Sequence, residues 1–231
     1  MIAEYFLSLD PLALLRAMPG TAAQGIIWGI MALGVYITFR ILDFPDLTVD
    51  GSLATGAATA VMLIQGGMSP ALSLVFSLLA GMAAGMVTGL LHTGLGIPGI
   101  LASILTQVSL YSVNLGIMGK SNQGISLTQQ GLVASSRYVT GDDRVFFFLK
   151  LIVGCLILVA IVYWFFGTEM GASIRATGCN PQMARAQGIN TNYTKVLALT
   201  ISNGLVGLCG GILAQYQGAA DVNMGRGAIV I

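Results

Sequence analysis

Charge is what this sequence has least of: only 8% of its 231 residues are Asp, Glu, Lys or Arg, while 55% are hydrophobic. A water-soluble domain normally carries about 25% charged residues. So few charges cannot cover a water-facing surface of this size, and the mean hydropathy of +0.85 agrees with that conclusion. The composition therefore predicts an integral membrane protein and excludes an ordinary soluble domain.

Charges are also missing over long continuous stretches, which are residues 17–39, 51–119, 151–168 and 196–220. A helix crosses a membrane in roughly 20 apolar residues, so the longest stretch holds about three crossings and each of the others one. Barrel strands would instead alternate in polarity over about ten residues. We predict an all-α, polytopic transmembrane helical bundle with about six spans. The spans are placed at 20–39, 52–66, 71–91, 99–118, 146–167 and 196–217.

Several kinds of chemical site are missing from the sequence as well. The three cysteines, Cys155, Cys179 and Cys209, are too far apart for a disulfide framework or a zinc site. There is neither a Gly-rich loop ending in Lys-Ser/Thr for nucleotide phosphates nor a metal-ligand cluster nor a Ser/His/Asp set. The net charge of +1 does not point to nucleic acid. We expect this chain to be no enzyme, to bind no metal or cofactor, and to have no nucleic-acid partner.

The two ends of the chain raise separate expectations. Residues 1–19 carry Glu4 and Asp10 where a secretory signal would be basic, and Pro11 interrupts their apolar stretch. They form either a loosely ordered tail or a short amphipathic helix at the membrane interface. The C-terminal GRGAIVI begins a new apolar run. We therefore expect residues 1–231 to be a single transmembrane domain cut before further C-terminal spans.

Polar side chains within or beside the spans are candidates for a gate or a solute path. They are Asp43, Asp46, Asp50, Gln107, Asn114 and Asn203. An acid at membrane depth is costly unless it faces a partner or a water-filled path. Two interpretations stay open for the three acids, a solvated helix-capping loop or a gate near the inner mouth. The three amides either join helices by hydrogen bonds or line the solute path.

Glycines recur four residues apart in three of the spans, which lets two helix backbones approach closely. These glycines are Gly25 and Gly29; Gly81, Gly85 and Gly89; and Gly207 and Gly211. We expect each set to be a helix-packing face.

Residues 168–195, here called the two-helix loop, read TEMGASIRATGCNPQMARAQGINTNYTK between two predicted spans. Asn180 suits an N-cap, Pro181 suits the first helical position, and Gly188 suits a C-terminal stop. These signals predict a helix at 181–187, preceded by another at about 170–177. The helices mix Ala and Met with Arg175 and Arg185. Apolar area and cations together predict a docking element for a partner protein.

The pattern Met170-Gly171, Arg175-Ala176, Gly178, Asn180, Ala184-Arg185 and Gly188-Ile189-Asn190 resembles the cytoplasmic coupling loop of one permease family. That family is the ABC importer permeases of the branched-chain amino-acid and ribose type. The following LALTISNGLVGLCGGILAQYQG and the earlier DFPDLTVDGS are also similar to family segments. Within the family, the chain is most similar to the branch proposed for tryptophan or tyrosine uptake. The resemblance implies ATPase coupling through Gly171, Arg175, Ala176, Gly178, Asn180, Pro181, Ala184, Arg185, Gly188 and Ile189.

The resemblance also implies the other subunits of the transporter complex. A second permease copy would complete the path, a separate ABC ATPase subunit would use ATP, and a periplasmic binding protein would deliver an amino acid. Alternating access in a bacterial inner membrane would follow. The alternatives are a sugar or nucleoside permease of the same superfamily, and a secondary transporter without an ATPase, in which the two-helix loop is only a linker.

Orientation follows from the two-helix loop. With it in the cytoplasm, Arg40 and the 41–51 junction lie there too or dip into the membrane, and residues 119–145 and the N-terminus are periplasmic. The Lys and Arg residues divide about equally between the two sides, so they do not decide the orientation.

Overall fold

The computed structural model describes residues 11–125, 132–135 and 144–227. The predicted stretches 1–19 and 119–145 therefore lie partly outside the described residues. In chain order the helices are α1 (Pro11–Tyr36), α2 (Thr48–Gln65), α3 (Pro70–Gly94), α4 (Gly99–Met118), α5 (Arg144–Gly167), α6 (Glu169–Cys179), α7 (Pro181–Ala186) and α8 (Thr191–Gln217). A π-helical segment, Ile37–Ile41, continues α1. The predicted all-α polytopic bundle is confirmed.

Five helices in the described part of the chain are long and apolar enough to cross a membrane. They are Met18–Ile41, α3, α4, Val145–Gly167 and α8. The sixth predicted span corresponds to α2, which has 18 residues and buries most of them against α3, α4 and α8. Because protein rather than lipid surrounds α2, small and polar residues such as Thr55 and Gly56 are acceptable there. The described chain therefore has five apolar helices long enough to span a membrane and one shorter, buried helix, α2.

Helix α8 lies at the centre of the bundle and packs against α3, α2 and α1. Leu199, Val206 and Leu213 on α8 are fully or almost fully buried. Helix α5 is peripheral: it packs mainly on α1 and α6, Phe147 stacks on Tyr216 of α8, and most of its described side chains are exposed. That arrangement suits an α5 surface that faces lipid.

Glycine contacts explain how closely α3 approaches α8. A Cβ atom at Gly81 would collide with the Asn203 carbonyl, and one at Gly85 with the Leu199 carbonyl. Gly89, Gly207 and Gly211 are similarly crowded, so the predicted packing faces of α3 and α8 are confirmed. A Cβ at Gly25 or Gly29 would meet nothing within 4 Å, so this pair forms no packing face within the described chain, and its predicted role in helix packing stays a prediction.

A small antiparallel sheet marks one end of the bundle, and the sequence did not predict it. Strand β1 (Asn122–Gly124) follows α4, strand β2 (Ala219–Asp221) follows α8, and Gln123 pairs with Ala220. The Gln65 amide at the end of α2 donates to the Gly124 carbonyl at 2.7 Å. The sheet thus joins three helix ends, while the two-helix loop lies at the opposite end of α8.

Helix α1 includes part of the N-terminal stretch 1–19, for which a loosely ordered tail or an interfacial helix was predicted. The helix starts at Pro11 and runs without interruption past Pro19 into the first span. Residues 11–19 are therefore part of a span-forming helix, and residues 1–10 lie outside the described part.

Candidate coupling surface and solute cavity

The second helix of the two-helix loop starts and stops where its residues predict. The Asn180 side-chain oxygen accepts hydrogen bonds from the N–H groups of Gln182 and Met183, both at 3.0 Å. Pro181 opens α7, and Gly188 follows it with a φ of 84°. A left-handed residue at this position favours glycine, because other side chains clash with the backbone there. The predicted N-cap, start and stop of this helix are confirmed.

The inner face of α6 is fixed to the rest of the bundle. Ile174 is fully buried in a cluster that includes Ile37 and Leu199. The hydroxyl of Thr177 lies 2.9 Å from that of Thr194 on α8, and both residues are buried. A displacement of α6 must therefore be transmitted to α8 and to the π-helical segment.

Two glycines allow this close seating. A Cβ atom at Gly171 would collide with the backbone of Phe165 and Phe166, and one at Gly178 would collide with the Ile41 carbonyl. Any larger residue at either position must push α6 away from its support. Glycine is therefore required for steric reasons at both Gly171 and Gly178 in this structure.

The outer face of the two-helix loop is exposed in the described chain. Met183 is 63% exposed, and Arg175 and Arg185 are exposed beside it in the loop. Arg185 Nε donates to Thr191 Oγ1 at 2.7 Å, which orients its guanidinium group. Of the other resemblance-derived coupling residues, Ala176, Asn180, Pro181 and Gly188 are exposed, Gly178 and Ile189 are half-buried, and Gly171 and Ala184 are buried. The exposed set offers a partner two cations and an apolar side chain.

A buried polar cluster, defined as Asp46, Thr48, Ser52, Thr88 and Asn203, joins α2, α3 and α8. Asn203 Nδ2 donates to Asp46 Oδ2 at 2.7 Å, and Ser52 Oγ donates to Asn203 Oδ1 at 2.7 Å. Asp46 Oδ1 accepts the Thr48 N–H at 2.9 Å, and the Thr48 and Thr88 hydroxyls are 2.8 Å apart. All five side chains are fully buried. The cluster therefore sets the start of α2 inside the bundle.

Asp46 lies in the junction between the π-helical segment and α2, outside the apolar spans. Burial raises the pKa of its carboxyl group above the ordinary value of 3.8, and hydrogen bonds from Thr48 and Asn203 oppose that effect. Burial is the larger cause, because removing a carboxylate from water disfavours its charged form.

A cavity of about 340 Å³ lies between the start of α2 and the middle of α4. Its polar lining consists of Asp50, Gln107, Tyr111, Ser112, Asn114 and Arg226. Asn114 is only 1% exposed, and neither its amide nitrogen nor its amide oxygen has a hydrogen-bond partner among the described residues. Asp50 Oδ2 accepts the Gly227 N–H at 3.3 Å. The cavity lining thus carries both signs of charge, and the Asn114 amide atoms lie buried beside it.

The six predicted gate or path residues separate into three environments. Asp50, Gln107 and Asn114 meet at the cavity, while Asp46 and Asn203 bind each other in the polar cluster. Asp43 is exposed, has a φ of 53°, and joins neither group.

Several further residues of these sites were missed in the sequence. Thr48 and Ser52 are four residues apart and therefore share one face of α2, a signal that could have marked them. Arg226 follows the last strand, and no local pattern connects it to α4.

These features define the chain as a multi-pass, α-helical membrane protein. The family model described as "Branched-chain amino acid transport system / permease component" matches residues 18–231, and the chain belongs to this family. It is therefore a permease component of a branched-chain amino-acid or sugar type ABC transporter, as the resemblance predicted. This is a family of transport permeases, not of enzymes.

Individual relatives differ in what their names say they transport. The chain is 41% identical over 209 residues to a tyrosine transport system permease protein of Clostridioides difficile, covering 90% of this chain and 68% of that protein. It is 31% identical over 191 residues to the autoinducer 2 import system permease protein LsrC of an Enterobacter species, covering 81% and 52%. A probable branched-chain amino acid permease, LivH of Methanocaldococcus jannaschii, is 24% identical over 196 residues, covering 81% and 62%. No solved structure matches significantly.

Proposed function

We propose that this chain is the membrane-spanning subunit of an ATP-driven importer for an amino acid in a bacterial inner membrane. A separate ABC ATPase docks on the two-helix loop, and a periplasmic binding protein delivers the solute at the other end. The tyrosine permease relative supports the amino-acid class. Two copies of the chain form the path, and neither copy carries out covalent chemistry.

One observation carries the coupling proposal: the two-helix loop is fixed on its inner face and free on its outer face. Ile174 and Thr177 attach α6 to α8 and the π-helical segment, while Met183 and the two arginines remain available to a partner. A docking element needs both properties, because a partner must grip it and the bundle must follow its motion.

The contacts also suggest how that motion reaches the solute path. Helix α8 receives the push near Thr194 and carries Asn203 in its middle. Asn203 holds Asp46 and Ser52 at the start of α2, and Asp50 on α2 lines the cavity. Movement of α8 relative to α2 would therefore change the cavity and alternate its access.

Co-purification tests the docking proposal. Wild-type protein, expressed with its partner ABC ATPase and extracted in mild detergent, should retain that subunit. Met183→Asp should release most of it, because a charge replaces an exposed apolar contact. Leu95→Asp is the matched control. Leu95 is also exposed and directly follows α3, at the end of the bundle where α8 begins. The Leu95→Asp control should retain the ATPase, and Met183→Asp should lose it. If the wild-type protein does not retain the ATPase, the secondary-transporter alternative is favoured.

The alternative of a sugar or nucleoside solute is tested separately, because the LsrC relatives are named for import of autoinducer 2 and not of an amino acid. Uptake of labelled L-tyrosine, L-leucine and D-ribose into proteoliposomes containing the complete complex distinguishes the classes. ATP-dependent accumulation of an amino acid is expected. Accumulation of ribose alone would establish the alternative.

A further inference from the structure

The imidazole ring of His92 joins the end of α3 to the start of α8. Lys195 Nζ lies 3.2 Å from His92 Nε2, and His92 Nδ1 lies 2.8 Å from the Ile97 carbonyl oxygen in the turn after α3. The rings of His92 and Phe44 also meet edge to face, with centroids 5.1 Å apart. The end of α3, the start of α8 and the junction before α2 therefore meet at one half-buried side chain.

The two hydrogen-bond partners of this imidazole determine its protonation state. A carbonyl oxygen only accepts hydrogen bonds, so Nδ1 must carry a proton and donate it to the Ile97 carbonyl. An ammonium group only donates, so Nε2 must be unprotonated and accept from Lys195. The shared proton stays on Lys195, because an alkylammonium group holds its proton more tightly than an imidazolium does. His92 is therefore neutral, in the Nδ1–H form, whenever both hydrogen bonds are present.

This contact lies directly beside the docking surface, since Lys195 is the last residue of the two-helix loop. Arg185 Nε donates to Thr191 Oγ1 in the first turn of α8. Thr191 and Lys195 are four residues apart and therefore share one face of that helix. A partner that displaces Arg185 thus acts on the turn of α8 that is bound to His92, and the hydrogen bond makes α3 follow.

We propose that His92 is a positioning residue for coupling, whose hydrogen bond from Lys195 transmits movement of the two-helix loop to α3, and that protonation of His92 breaks this link. A protonated imidazole carries hydrogen on both nitrogens, so Nε2 no longer accepts. Imidazole is the side chain whose charge most readily changes between about pH 5 and 8. This inference rests on the proposed coupling function and adds a dependence on the pH at the loop side.

The charges around His92 decide what a proton there does. Lys195 is a cation in direct contact with the ring, and the Arg185 guanidinium on α7 acts on Lys195 as a further positive charge. Asp43, one residue before Phe44 in the junction, is exposed. A proton on His92 therefore sets two cations against each other, and their repulsion separates α3 from the start of α8.

Nitrogen NMR tests the contact itself. His92 is the only histidine in the chain, so 15N-histidine in this subunit of the complete complex gives one pair of ring signals. At pH 7.5 we expect a protonated Nδ1 and an unprotonated Nε2. Lys195→Met should shift the Nε2 signal, because that atom loses its donor, and leave Nδ1 protonated. An Nε2–H form in the wild-type protein, or an Nε2 signal unchanged by Lys195→Met, would overturn the inference.

Uptake per ATP hydrolysed tests the role in coupling. The complete complex in proteoliposomes is assayed with L-tyrosine, L-leucine and D-ribose, while the pH on the ATPase side is lowered from 7.5 to 5.0 and the other side stays at 7.5. For the best-accumulated probe, the wild-type ratio should fall about tenfold, the effect expected from losing one hydrogen bond to a charged group. His92→Gln presents an amide oxygen that gains no proton, so its ratio should stay constant. Dividing the wild-type ratio by that of His92→Gln at each pH removes effects of the other subunits.

Two further variants separate the hydrogen bond from a general weakening of α3. Lys195→Met should have a ratio about tenfold below wild type at pH 7.5, with no further fall at pH 5.0. Thr93→Val is the matched control, because half-buried Thr93 follows His92 on α3 and donates to the Gly89 carbonyl at 2.8 Å. It should keep the wild-type ratio and pH profile. An equal loss in Thr93→Val would overturn a specific role for His92.

The outcomes separate this inference from the coupling proposal. Identical pH profiles of wild type and His92→Gln, with ATP-dependent uptake present, would overturn the role of His92 and leave the transport proposal in place. A wild-type complex that hydrolyses ATP but accumulates none of the three probes would overturn the transport proposal and, with it, this coupling role. A tenfold fall in wild type beside a constant ratio in His92→Gln supports both.

Discussion

The amide of Asn203 donates a hydrogen bond of 2.7 Å to the carboxyl group of Asp46, although 157 positions separate the two residues in the chain. The bond joins the middle of α8 to the junction before α2. Since α8 also bears Thr194, whose hydroxyl contacts that of Thr177 on α6, one helix connects the docking surface to the polar cluster. That connection is the physical basis for the proposed coupling.

The first prediction concerns the stability that this bond provides. Asn203→Leu leaves the buried Asp46 carboxyl group without one of its donors, so we expect a loss of about 1–3 kcal/mol in the free energy of unfolding. Denaturant titration of the detergent-solubilised protein measures it. Asn192→Leu is the control, because Asn192 is an exposed residue of the same helix. A double-mutant cycle with Asp46→Ala should reveal a coupling of about 0.5–3 kcal/mol, and additive effects would contradict a direct bond.

The second prediction concerns pH. Burial raises the Asp46 pKa above 3.8, so above pH 3.8 the unfolded chain has lost this proton while the folded chain still holds it. Unfolding then releases a proton, and the contribution to stability declines as pH rises until the folded carboxyl group also ionises. The stability of wild type minus that of Asp46→Asn should therefore fall with rising pH above 3.8. A difference that stays flat or rises across that window would show that the carboxyl group is ionised in both states.

The third prediction concerns the support of α6. Gly178→Ala adds a Cβ that collides with the Ile41 carbonyl, so we expect a cost of about 1–3 kcal/mol and weaker binding of the ATPase. Gly154→Ala is the matched control, since a Cβ there meets nothing within 4 Å on α5. Thermal unfolding and co-purification of the two variants give the comparison. Equal stability of both variants would mean that α6 is not seated tightly on the π-helical segment.

The sequence predicted the helices and the two-helix loop well, because both depend on local signals. Apolar runs placed the spans to within a few residues, and Asn180, Pro181 and Gly188 marked α7 through capping and backbone preference. Helix α2 began four residues before its predicted start, because Asp46 satisfies the N–H of Thr48 inside the protein. The pattern of apolar residues in the sequence cannot predict that the Asp46 carboxyl group is a buried acceptor at this position.

The sequence predicted only part of the sites that tertiary packing forms. Asp46, Asp50 and Asp43 stand close together in the sequence, yet one is buried with Asn203, one lines the cavity and one faces outward. Their separation arises from the turn that the chain makes before α2, including the positive φ of Asp43. Asp46 and Asn203 pair across 157 residues, and Arg226 approaches α4. Both contacts depend on tertiary packing, which no spacing of neighbouring residues in the sequence predicts.

Arg185→Glu tests the central claim, that the two-helix loop transmits the work of an ATPase, more directly than any other change. In proteoliposomes with the ATPase and the binding protein, uptake and ATP hydrolysis are measured together, with Lys120→Glu as a control that makes the same change of charge at an exposed residue after α4. We predict that Arg185→Glu inserts normally but loses about 90% of uptake per ATP hydrolysed, roughly a tenfold effect, because the reversed charge removes a cation that the ATPase would pair with. The Lys120→Glu control should stay near the wild-type ratio, because Lys120 lies outside the two-helix loop. Wild-type uptake per ATP in Arg185→Glu would contradict the account.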